Sequence, residues 1–306
     1  HCRFSRNSAS SRAIPVWKRM MAVLEHPYVP NSFGVNKAGM QAGEDLSAED
    51  QEKVVWNWLF GRDMSVLQAY ALIGGRKEIL SGIKGDKNIF AAEALCDKVE
   101  QLGLDHGVQN RLSTQDKGLH KQHANRVLET YSFHTVIVTA THWRNFFGLR
   151  ASVQAQPEAC DFALAMAQAM RASTPKKLSQ GDWHLPYIRK EDLDEIQAQN
   201  ILARASAGKC ARTSYLTHDG RRSIIEDVGM AQGLLGNGHM SPFQHPARPK
   251  AAGDPEGSHG NYSPVWTQLR KMIEREYDFS LLTKYEDLVS GCRGDEELAN
   301  FILSLR

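Results

Sequence analysis

The sequence predicts an α+β protein, and two observations carry that expectation. Helical patterning dominates: apolar residues recur at helical spacing over residues 14–27, from 47 to about 72, from about 88 to 103, and again after Pro157. Against it stands TVIVT, residues 135–139, a β-branched run that reads either as a buried strand or as the start of a helix continuing through Trp143 and Phe147. With 306 residues, 42% hydrophobic and 24% charged, the chain can bury a sizeable core as one large domain or two smaller ones.

In chain order, the first thirteen residues, HCRFSRNSASSRA, alternate Arg3, Arg6 and Arg12 with Asn7, Ser5, Ser8, Ser10 and Ser11. Guanidinium forks match phosphate oxygens and hydroxyls satisfy the remaining lone pairs, so the stretch reads as an anion cradle rather than a packed element. Composition alone also allows a disordered basic tail. Residues 14–27 place Val16, Met20, Met21 and Leu24 on one helical face, closed by Pro27. A Gly/Asn/Pro-rich loop leads to Ser47, which caps the next helix with Asp50 three residues on. Pro157 and Glu158 open a helix with Phe162, Met166 and Met170 on one face, which is core or subunit interface. WHLPY is a loop, residues 191–204 are helical, and ASAGKCARTSYLTHDGRR reads as a ligand loop followed by a turn at Asp219-Gly220. A helix over residues 223–235 ends at Gly236-Asn237-Gly238. GHMSPFQHP, a surface loop over residues 247–263 and a last amphipathic helical region follow. No repeat and no long linker separates independent domains.

The formal net charge of +2 argues against a protein that coats a polynucleotide. Five cysteines (Cys2, Cys96, Cys160, Cys210, Cys292) show no CxxC and no Cys/His metal spacing, so no metal is expected and a reduced, cytoplasmic setting fits. No run approaches a membrane span and no leader is visible. The chain begins at His1 rather than Met, which leaves room for preceding residues.

Four blocks together carry a resemblance: HCRFSRNSASSRA, NFFGLR with the downstream AQPE, CARTSY, and GHMSPFQH. They resemble the motifs of the flavin-dependent thymidylate synthases. In the common order of that family the third and fourth blocks precede the Arg-rich one, whereas here they follow it, as in a circularly permuted branch. The resemblance implies a single domain over residues 1–306 with a mixed sheet flanked by long helices, a helical addition at about 47–104, and a homotetramer.

Residue by residue, the resemblance places Ser8, Ser10, Arg12, Arg126 and Arg150 at dUMP, with Ser10 and Arg150 nearest the chemistry. It places His1, Asn145, Ser214, His239, Ser241 and Gln244 at FAD. Methylenetetrahydrofolate and NADPH are the implied co-substrates of a methyltransferase reaction giving dTMP. The sequence also departs from the family: Cys2 stands for an Arg, Ser8 for a Glu, and Gln244 for the Glu of SPFEH. Each change removes a charge, so two alternatives are carried: a hydroxymethylase acting on dUMP or dCMP on the same scaffold, and a non-catalytic flavin- or nucleotide-binding homologue.

Simpler readings stand beside the sharp ones. Ser10 has no His or Lys base beside it in sequence, so a phosphate or backbone contact competes with a nucleophile. Cys2 is a neutral replacement or a thiolate beside Arg3 and His1. His120 with His123, and His218 with Asp219, lack a third metal ligand. His245 is site-adjacent or structural, and Phe146, Phe147 and Leu149 read as core.

Overall fold

The computed structural model describes residues 5–35, 43–108, 118–218, 220, 223–255, 263–273 and 296–297. In chain order these form strand β1 (Ser5–Ser8), then helices α1 (Val16–Glu25), α2 (Ala48–Ile73), α3 (Gly75–Ser81), α4 (Asp86–Asp105) and α5 (Lys121–Ala124). Strand β2 (Val136–Thr139) and helices α6 (Arg144–Arg150), α7 (Pro157–Ala172), α8 (Lys190–Glu195), α9 (Gln199–Ala211) and α10 (Ile224–Gly236) come next. Strands β3 (Ala247–Pro249) and β4 (Trp266–Gln268) and the short helix α11 (Leu269–Met272) end the series. Helices and short strands coexist, as an α+β class requires. The strands make two separate two-stranded antiparallel sheets among the described residues, β1 with β2 and β3 with β4, where the resemblance implies one mixed sheet.

Residue contacts divide the chain into two compact units, His1–Ser8 with Val136–Arg144 and Thr174–Arg306, and Ala9–Thr135 with Asn145–Ser173. The helices expected at about 47–104 fall wholly in the second unit. There the amphipathic α1 buries Val16, Trp17, Met20 and Val23 against Val66, Leu67 and Tyr70 of α2 and Leu95, Cys96 and Val99 of α4. Each fully buried aliphatic side chain contributes roughly 1.5–3 kcal/mol relative to exposure. Ser47 caps α2 as its sequence position predicts, its hydroxyl accepting from the Asp50 N–H at 3.2 Å. Gly74 ends the helix in the left-handed region at φ 98°. After α5 the chain continues into a 3-10 segment, Asn125–Tyr131, whose Leu128 completes this core.

In the first unit, α9 packs along α10 through Leu202, Ala203, Ala205 and Ala207 against Ile224 and Ala231. This corrects the reading of ASAGKC as a ligand loop: it lies within α9. Its small residues serve close helix approach, since a Cβ on Gly208 would stand 2.1 Å from the Asp227 carbonyl oxygen of α10. The helix expected over residues 191–204 is two helices, broken between α8 and α9. Residues 247–249, expected as surface loop, form β3 with Ala247 buried. The expected turn at Asp219, the end of the surface loop and most of the last helical region lie outside the described residues.

The ambiguous run at 135–139 resolves as strand β2, paired with β1 in the register Ser5 to Thr139 and Ser8 to Val136. Residues 5–8 are thus neither tail nor loop. Strand pairing satisfies their backbone groups, and the β-branched partner suits a pleated surface.

Candidate functional site

Strand β1 is the element around which distant parts of the first unit gather. Alternation along the strand buries Asn7 and exposes Arg6 and Ser8 on the other face. The Asn7 amide reaches the carbonyl of Cys210 at 3.5 Å, tying the strand to the end of α9. There the chain passes into a 3-10 turn, Arg212–Tyr215, the RTSY of the third block. A second 3-10 turn, Ser241–Gln244, comes from the fourth block. Strand β1 packs against both. Residues 5–8, 212–215 and 241–244, from three blocks far apart in sequence, therefore meet in one unit.

The geometry of the two turns is held from behind. His245 is fully buried and its Nδ1 lies 2.8 Å from the Thr139 hydroxyl of β2. Burial, and secondarily the charge of His184, push its pKa down to about 4, so the ring is neutral at pH 7 and structural. The Gln268 amide donates to the Gln244 carbonyl at 2.9 Å. Behind the RTSY turn, Arg212 Nε lies 2.6 Å from the buried Asp227 carboxylate, and Lys209 Nζ lies 3.3 Å from Asp227 and 3.2 Å from Asp192. Two cations and two carboxylates thus neutralise one another inside the unit, as buried charges require. Burial pushes the Cys210 thiol up, which excludes it as a thiolate nucleophile.

What the turns present outward is uncharged or basic: exposed Ser241 and His239, half-buried Ser214 and Gln244, and exposed Ser8 and Arg6 on β1. These are hydroxyls, an amide, an imidazole and a guanidinium, with no carboxylate among them, and each type can bond an anionic ligand; Arg6 and Ser8 lie on the face of β1 opposite the Asn7 that meets Cys210. Arg6 and Asn7 belong to the stretch that reads by composition as an anion cradle, although the family motif gives neither a role, and Asp227 is singled out by neither. The period-two alternation of a strand through RNS would have pointed to Arg6.

The remaining expected residues that the structure describes fall in the second unit. Ser10 forms a turn: its hydroxyl accepts from the Arg12 N–H at 3.3 Å and its carbonyl from Ala13 and Ile14 at 3.1 Å. Arg12 is exposed on that turn. Asn125 donates to the carbonyls of Ser11 and Ile14, both at 2.9 Å, and Lys121 to that of Ala13 at 3.1 Å. The turn carrying Arg12 is thereby tied to the 3-10 segment carrying the exposed Arg126. Asn145 is exposed and Arg150 half-buried on α6. Leu149, expected in the core, is exposed. His1 and Cys2 lie outside the described residues.

Among the described residues no three His, Cys, Asp or Glu side chains cluster as a metal site. His120 instead caps α5, its ring accepting from the Gln122 N–H at 3.2 Å. No described helix is long and apolar enough to cross a membrane. A cavity of about 380 Å³ in the first unit is lined by Arg204, Leu235, Phe243, Leu269, Met272 and Ile273 among others. Its lining is mostly apolar, which does not suit a phosphate, with Arg204 and Gln232 its polar members, and its Phe243 belongs to the same 3-10 turn as Ser241 and Gln244. No protein family, no curated protein and no solved structure matches this chain.

Proposed function

We propose that the chain is a flavin-dependent thymidylate synthase-type enzyme, transferring a one-carbon unit from methylenetetrahydrofolate to C5 of dUMP to give dTMP. The observation that carries this reading is the meeting of three of the four motif blocks around β1. Residues 5–8 pack against the turns of the third and fourth blocks, as segments that share a ligand would.

Ser214, Ser241 and Gln244 on the two turns carry hydroxyl and amide groups of the kind that bond ribose and diphosphate oxygens, which supports FAD as the ligand. Bound there, FAD would supply the redox equivalents that complete the methyl group, with NADPH as reductant. In this reading Ser10, Arg12 and Arg126 hold the nucleotide phosphate, and Arg150 stabilises charge building on the uracil oxygens. The resemblance also implies roles for Asn145 and His1 toward the flavin and for Ser8 toward the nucleotide. The resemblance makes the enzyme a homotetramer.

Neutral Ser8 and Gln244, where the family carries carboxylates, favour a second reading in which water rather than hydride quenches the exocyclic methylene, giving hydroxymethyl-dUMP. Purified protein supplied with FAD, dUMP, methylenetetrahydrofolate and NADPH is expected to bind flavin, bleach it with NADPH and release a nucleotide product identified by mass spectrometry. A parallel reaction with dCMP fixes the base. Flavin binding without any product leaves a non-catalytic homologue, and failure to bind both flavin and dUMP overturns the proposal.

A further inference from the structure

The cavity of about 380 Å³ in the first unit lies between α9, α10, the Ser241–Gln244 turn and α11. Its lining grades from sealed and apolar to open and polar. Ala231, Phe243 and Leu269 are 1%, 2% and 9% exposed, so the inner wall is closed to bulk water. Leu235, Met272 and Ile273 are half-buried, and Arg204 and Gln232 are exposed. Small-molecule sites share this anatomy, with a volume of about 300–1,000 Å³, an apolar wall and a few polar groups that fix orientation. The polar end carries one sign of charge. Arg204 is the charged member of the lining, and its guanidinium makes no ion pair or hydrogen bond among the described residues. One helical turn to either side of it, Asn200, Ile201, Ala207 and Gly208 bring no carboxylate. Gln232 adds an amide donor from the neighbouring α10.

We infer that this cavity binds a medium-chain fatty carboxylate, with the hydrocarbon chain along Leu235, Leu269, Met272 and Ile273 and the carboxylate on Arg204 beside Gln232. A lone guanidinium matches one carboxylate, whereas FAD and dUMP would bring phosphate groups to a mostly apolar wall. A cationic ligand would meet Arg204 with no carboxylate in the lining to balance it. The apolar side chains are aliphatic or thioether, with Phe243 the one ring, so they conform to a flexible chain better than they stack on a flat one. A chain seated against Phe243 also braces the turn that carries Ser241 and Gln244.

Calorimetric titration of the purified full chain with decanoate, without flavin or nucleotide, is expected to show saturable binding at one site per chain. Octanoate is expected to bind roughly tenfold more weakly, because it buries less apolar surface. Decanol keeps the chain and loses the charge, so it is expected to bind about tenfold more weakly than decanoate, and the decylammonium cation more weakly still. Arg204→Gln, on an exposed side chain, is expected to bring decanoate down to the affinity of decanol. Ala231→Phe fills the inner wall and is expected to abolish binding of both. Absence of decanoate binding, binding that does not saturate, decanol or decylammonium binding as tightly as decanoate, or an unchanged affinity in Arg204→Gln overturns the inference. Naphthoate binding more tightly than decanoate overturns the choice of a flexible chain. A protein that ignores decanoate and whose Leu235→Cys thiol resists maleimide would instead show the cavity closed by protein. If Ala231→Phe does not fold, Arg204→Gln and the uncharged alcohol decide. Flavin enters none of these titrations, so they stand or fall apart from the flavin reading.

Discussion

Asp227 is fully buried, with one carboxylate oxygen 2.6 Å from Arg212 Nε and the other 3.3 Å from Lys209 Nζ. Asp227→Asn keeps the shape and removes the charge, and Lys209 keeps Asp192 while Arg212 is stranded. Breaking one side of a buried ion network costs about 3–5 kcal/mol, so the urea midpoint should fall steeply with little change in slope. A loss under about 1 kcal/mol would show that water reaches Arg212. His245 makes the complementary case for pH. Its folded pKa, about 4, lies below the ordinary 6.5, chiefly because the ring is buried. Its contribution is fully present above pH 6.5 and is lost as pH falls towards 4, because the unfolded chain takes up the proton first. Between pH 7.5 and 4.5 this costs on the order of 2–3 kcal/mol. Denaturation of wild type and His245→Gln over that range should show a shallower slope in the variant; parallel slopes would assign the acid sensitivity elsewhere.

At the scale of elements, two glycines in helices should answer oppositely to alanine. Gly208→Ala places a Cβ 2.1 Å from the Asp227 carbonyl oxygen, forcing α9 and α10 apart at a cost of about 1–3 kcal/mol or more and moving the RTSY turn. Gly148→Ala, in α6, meets nothing within 4 Å and should stabilise by up to about 1 kcal/mol. Thermal melts of the two variants would separate them, and a neutral Gly208→Ala would refute the close-packing role. The same helix pair shows where the sequence was legible. The cap at Ser47 and the stripe on α1 report local physics and could be read directly, whereas Ser223, read as the first helical residue, is the cap of α10. ASAGKC misleads because small residues serve equally in ligand loops and at helix crossings, and what separates them is the partner α10, remote in sequence. Residues 135–139 stay ambiguous for the same reason, since only pairing with residues 5–8 decides for a strand. The site divides likewise. Motif spacing singled out Ser214, Ser241 and Gln244, but the alternation exposing Arg6 and the charges behind the RTSY turn depend on contacts that a linear reading does not contain.

For the molecule as a whole, the division into two units makes the first eight residues disproportionately important to one of them. The chain crosses between units after Ser8, Thr135, Arg144 and Ser173, so β1 is a short contribution to a unit built mainly from residues 174 onward. Without β1, strand β2 loses its ladder partner, the Cys210 carbonyl loses the Asn7 amide, and the two 3-10 turns lose the element between them. The second unit keeps its core, because Val16, Met20, Val66, Leu95, Val99 and Leu128 all lie outside the deleted stretch. Deleting residues 1–8 should therefore leave most of the helical circular dichroism and a cooperative melt of the α1, α2 and α4 core. Limited proteolysis should then open the chain within residues 174–273, and flavin binding should be lost. A truncated chain that resists protease there and still binds flavin would show that the two turns are set without β1, and the site would have to be rebuilt around α9 and α10 alone.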